Sequence, residues 1–162
     1  MRATDIRRAD KVIEHWGQWD SGAMPASAFP LSRRRGHSFR LGRAYRWRVI
    51  RFAAGGHSFR LLLAFSLAKE QYRAILALEE DRDMSVLVSY EFHGTHPGWH
   101  VLACCDDIST VPQGVMIGPW QRRFPRDRAR HRGIAFRVTD DATALDVAAR
   151  FFRLHQAEGT LL

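Results

Sequence analysis

From Tyr90 to His100 the chain reads Tyr-Glu-Phe-His-Gly-Thr-His-Pro-Gly-Trp-His, one glutamate and three histidines set around a Gly/Pro turn. Histidine and glutamate both ligate metals and both exchange protons, so their spacing here is the first candidate for chemistry. The flanks alternate with period two. Met84, Val86, Val88, Tyr90 and Phe92 interleave with Ser85, Leu87, Ser89 and Glu91, which predicts strands over 84–92 and 99–105 joined through 93–98. One register keeps the apolar residues together: Phe92 opposite Trp99, Tyr90 opposite Val101, Val88 opposite Ala103. The other face then pairs Glu91 with His100 and Leu87 with Cys104, with His93 two residues beyond Glu91 and His96 in the turn.

Two chemistries suit that arrangement. A divalent metal, zinc first, could take three of Glu91, His93, His96 and His100 and keep a position for water. Without a metal, Glu91 could orient His100 as a general base, which makes these two the catalytic candidates. A Glu–His pair can equally do no more than stabilise a hairpin. The stretch from Thr95 to Ile108 also resembles part of the JAMM-type metalloprotease motif, His96 and Asp107 standing at the spacing of its second histidine and its aspartate. The motif's first histidine is Gly94 here and its serine is Cys104, so no activity is carried over from it. Asp106 and Asp107 fall at the far end of the strand and are poorer ligands for the histidine cluster.

A second constellation is basic. Between Arg122 and Arg132 lie Arg122, Arg123, Arg126, Arg128, Arg130 and Arg132, with Trp120 and Phe124 beside them. Arginine with interleaved aromatics suits a surface that tracks phosphates and stacks bases. Arg33, Arg34 and Arg35, with Arg46 and Arg48, could extend it. The net charge of +8 points to anionic partners, RNA or DNA above all. Lysine occurs only at Lys11 and Lys69, so the excess is almost wholly arginine, the better residue for bidentate phosphate contacts and also a product of genomic bias.

Other classes lack their signatures. There is no P-loop, no dinucleotide-binding glycine pattern and no nucleophile elbow. The only cysteines, Cys104 and Cys105, are adjacent, which excludes a disulfide scaffold and a zinc ribbon. The first residues carry charge with no apolar run after them, and no stretch reaches membrane-span length, so a cytoplasmic protein with no membrane partner is expected.

A chain of 162 residues, 46% hydrophobic and 26% charged, suits one domain over 1–162. Periodicity predicts an N-terminal helix over 4–19 (Ile6, Ala9, Val12, Ile13, Trp16, Trp19), then an irregular surface connection at 21–43. Strands follow at 45–53 and 58–66, joined by Ala54-Gly55-Gly56-His57, with a bulge near Val49 where the apolar phase changes. A central helix over 68–80, the histidine hairpin, a basic loop at 118–132, a short strand at 134–138 and a C-terminal helix from Asp140 to about 157 complete the chain. The expected class is α+β, an antiparallel sheet of about five strands with N-terminal, central and C-terminal helices. The leading functional expectation is nucleic-acid binding, alone or as a subunit of a nucleoprotein assembly. The alternatives are a phosphodiesterase-like, metal-dependent hydrolase built on the histidine hairpin, and a protein-interaction subunit docking through Trp16 and Trp19.

Overall fold

The computed structural model describes residues 1–30, 40–81, 83–93, 96–114, 118–125 and 135–155, and of residues 96 and 97 the backbone alone. Among the described residues the chain builds one antiparallel sheet of eight strands: β1 Val12–His15, β2 Asp20–Ser21, β3 Arg46–Ala54, β4 His57–Ser66, β5 Gln71–Glu80, β6 Asp83–His93, β7 His96–Cys104 and β8 Gln121–Phe124. From β3 to β8 each strand pairs with the next, and β1 and β2 both pair with β3. Among the described residues the α-helices are α1, Ala3–Arg8, and α2, Asp141–Phe152. The expected α+β domain with three helices and about five strands is therefore wrong. The protein is mostly sheet.

The central helix is the largest correction. Residues 71–80 form β5, in the middle of the sheet, paired with both β4 and β6. Tyr72, Ala74, Leu76 and Leu78 join one apolar cluster, while Ile75 and Ala77 join another on the opposite face. A strand buried on both faces reads as a continuous apolar run, and its Ala, Leu and Glu content favours helix locally. Pairing on both sides overrides that preference.

The expected N-terminal helix stops at Arg8, and the chain then runs as β1 along the edge of β3. Gly17 explains part of this. It holds φ at 65°, and a Cβ there would collide with the Val49 carbonyl, so only glycine lets the chain pass so close to β3. Within the expected basic loop at 118–132, Gln121–Phe124 form β8, paired with β7. Residues 135–139 form no strand; Phe136 and Val138 pack against the core instead. The C-terminal helix is present but ends at Phe152, where Arg153 turns left-handed at φ 54°.

The β3–β4 hairpin runs in one continuous register with no bulge at Val49, and Gly55 and Gly56 turn it at φ 56° and 80°. The change of apolar phase in β3 has another cause. Trp47 and Val49 face one cluster, and Ile50, Phe52 and Ala54 face the other. The bulge lies on β6, where Val88 pairs with Leu76 and Val86 with Ala77, leaving Leu87 between them. Met84 and Val86 consequently face away from Val88, Tyr90 and Phe92.

Two layers close these faces. On the first, α2 covers the larger cluster, with the Tyr72 hydroxyl donating to the Ala144 carbonyl at 3.0 Å and Arg46 forking onto Asp141 at 2.6 and 2.5 Å. On the second, Met24, Ala28, Phe29 and Leu41 cover Trp47, Leu62, Ile75 and Val86. Arg60 fastens this cover by donating to the carbonyls of Ser27 and Ala28. The connection at 21–43 thus supplies core: Phe29 is wholly buried.

Candidate metal centre

β6 and β7 pair in the expected register: Glu91 with His100, Phe92 with Trp99, Tyr90 with Val101 and Val88 with Ala103. The ladder ends there, so Leu87 does not reach Cys104. At the other end His93 pairs with His96, which leaves Pro97 and Gly98 as extra residues on β7, with Gly98 at φ 136°. The apolar row goes into the helix-covered cluster, where Tyr90, Phe92 and Trp99 pack ring against ring. That burial fixes the register, because a one-residue slip would turn the row outward. The same constraint turns Glu91, His93 and His100 to the second face, past the end of its apolar cluster.

There the three side chains converge. Glu91 Oε2 lies 2.6 Å from His93 Nε2 and 3.5 Å from His100 Nε2, and the imidazole rings are 5.3 Å apart. The Ser89 hydroxyl donates to the other carboxylate oxygen. Side-chain exposure is 6% for Glu91, 3% for His100 and 17% for His93, so solvent reaches the cluster past His93. Burial alone would push the Glu91 carboxyl up. Hydrogen bonds from His100, His93 and Ser89, and the positive charge of Arg73, outweigh it and hold the group well below the usual carboxylate range. Glu91 is therefore an anion at neutral pH, as a metal ligand or an orienting carboxylate must be.

One potential ligand atom from each of Glu91, His93 and His100 falls within 4.8 Å of the other two. Two histidines and a carboxylate are a donor set suited to zinc and to ferrous iron. Of the expected ligands, His96 is placed only by its backbone, opposite His93. Asp107 is elsewhere: it accepts from the N-terminal ammonium of Met1 at 2.5 Å and from Ser109. The JAMM-like aspartate thus takes no part in this cluster.

The basic constellation is placed only in part. Arg33, Arg34, Arg35, Arg126, Arg128, Arg130 and Arg132 lie outside the described residues. Arg122 is exposed on β8, and Arg123 is half-buried. Trp120 packs half-buried against the core rather than standing free to stack. Arg46 and Arg48 are engaged within the fold, Arg46 holding Asp141 and Arg48 donating to the Trp16 carbonyl. Trp16 and Trp19 lie beyond α1 and pack on the core, Trp19 edge-on to Phe65 at 5.3 Å, so they present no helical docking face.

Sequence reasoning missed Arg73 and Ser89. Arg73 stands opposite Glu91 across β5 and β6, and Ser89 opposite Ile75. Ser89 carried a legible signal, two residues before Glu91 on the same face. Arg73 carried none while 68–80 read as helix. No protein-family model, no curated protein and no solved structure matches this chain.

Proposed function

We propose that this protein binds a divalent transition metal, zinc first, through Glu91, His93 and His100, and that the ion is the centre of hydrolytic chemistry. The observation that carries this reading is the convergence of three potential ligand atoms within 4.8 Å on a rigid pair of strands. Tetrahedral zinc at about 2.0–2.1 Å from its ligands separates them by roughly 3.3 Å. The Glu91–His100 separation of 3.5 Å already suits this, and the Glu91–His93 separation of 2.6 Å must open by less than about 1 Å. His93, the most exposed of the three, is the side chain with room to move. When bound by three protein groups, such an ion keeps a fourth position for water and lowers its pKa toward 7. The strands hold the ligands, and burial of Glu91 and His100 excludes bulk water from all but one side.

Titration of the protein with zinc against a chromogenic chelator tests the reading. One equivalent should bind, and His93→Ala, His100→Ala and Glu91→Gln should each lower affinity by at least about 100-fold, since losing even an outer partner of a ligand costs roughly 10–100-fold. Absence of stoichiometric zinc, cobalt or iron binding would reduce the cluster to a hydrogen-bonded hairpin.

A second reading, binding of nucleic acid, is supported by the net charge of +8. Among the described residues it draws on Arg122, exposed on β8.

A further inference from the structure

We infer that Arg73 and Arg123 form an anion seat flanking the Glu91–His93–His100 cluster, fitted to a phosphate group. It rests on the metal reading only for the ion that would share the anion. Arg73 is directly opposite Glu91 in the β5–β6 ladder. Arg123 is opposite Leu102 in the β7–β8 ladder, and Leu102 lies two residues from His100. Side chains alternate along a strand, so both guanidinium groups rise from the face that carries the cluster, one on each side of it.

Half-burial without a partner sets them apart from the other described arginines. Arg7, Arg46, Arg48, Arg60, Arg137 and Arg150 each donate to a carboxylate, a carbonyl or a hydroxyl. Arg73 and Arg123 are both half-buried, and neither makes a hydrogen bond or an ion pair among the described residues. Arg123 Nε is enclosed with no partner at all. Enclosed donors without partners are rare in folded proteins and call for an acceptor. Arg73 acts on Glu91 by charge alone.

An anion supplies what is missing. A guanidinium presents its donors as a planar fork that matches two oxygens of a phosphate. Two such forks and a divalent ion, set against the single carboxylate of Glu91, leave an excess of positive charge that a phosphate dianion would offset. The substrate class assigned to this face is accordingly a phosphate ester.

Phosphorus NMR titration with inorganic phosphate, on metal-free protein and again with one equivalent of zinc, tests the seat. The parent should bind phosphate in both states and more tightly with zinc. Arg73→Gln/Arg123→Gln should weaken phosphate binding at least tenfold in each state, while one equivalent of zinc still binds. Arg73→Lys/Arg123→Lys keeps the charges but loses the forks, and should bind phosphate with intermediate affinity; it carries the test should the glutamine variant fail to fold. Phosphate binding equal in parent and lysine variant, or no phosphate binding by the metal-free parent, overturns the seat. Failure of the parent to bind zinc, with phosphate binding intact and lost in the variants, overturns the metal reading and leaves the seat standing.

Discussion

At the scale of single residues, Glu91 decides most. It is a buried carboxylate made tolerable by two imidazoles, a hydroxyl and the field of Arg73. A carboxyl whose native pKa lies below its unfolded value of about 4.3 stabilises the fold fully above that value. The contribution is lost as pH falls toward the native pKa, because the unfolded chain takes up the proton first. Urea unfolding of the parent should therefore show stability declining below about pH 4, with a shallower decline in Glu91→Gln. At neutral pH the same variant should lose roughly 1–3 kcal/mol, since an amide cannot accept what the carboxylate accepts. An acid limb unchanged by the substitution would mean that Glu91 is not held as described.

At the scale of elements, the sheet is stabilised by its two-sided core far more than by its ion pairs. Leu63 on β4 is fully buried in the larger cluster, and Leu63→Ala should cost about 2–5 kcal/mol, the transfer of the side chain plus the cavity it leaves. The Arg46–Asp141 fork joins β3 to the start of α2, yet both side chains keep more than a third of their exposure. Solvent screening limits such a pair, so Asp141→Asn should cost under about 1 kcal/mol. Thermal melts of the two variants measure the contrast, and a comparable loss in both would mean that α2 is held by its charge and not by its packing. The histidine hairpin was legible because its pattern is local: two neighbouring strands, one apolar row and a single register that buries it. β5 was not legible, because Tyr72, Ile75 and Leu76 fit a helical stripe as well as a strand buried on both faces. Telling these apart takes the neighbours on either side, β4 and β6, which no local window contains.

At the scale of the whole molecule, the charge of +8 is a property the fold distributes rather than creates. Some of the arginine is engaged in internal hydrogen bonds, as with Arg46, Arg48 and Arg60. If the remainder binds nucleic acid, a generic single-stranded oligonucleotide should be held at low salt and released as salt rises. The logarithm of its affinity should fall by about 0.7 per log unit of salt for each phosphate neutralised. Fluorescence anisotropy across a salt series reads this directly, and no binding at low salt would remove the polyanion partner.

Composition and alternation, by themselves, determined the basic character, the absence of a disulfide framework, the β6–β7 register and the pairing of Glu91 with His100. Each follows from residue identity and a period of two, which any reader of the chain can count. Tertiary structure alone decided that 71–80 is a strand, that the bulge sits at Leu87, and that Arg73 and Arg123 flank the cluster. Those outcomes depend on which residues far apart in sequence come to lie side by side. Burial on both faces erases the polar alternation that would have announced β5, and with β5 hidden, Arg73 could not be placed opposite Glu91.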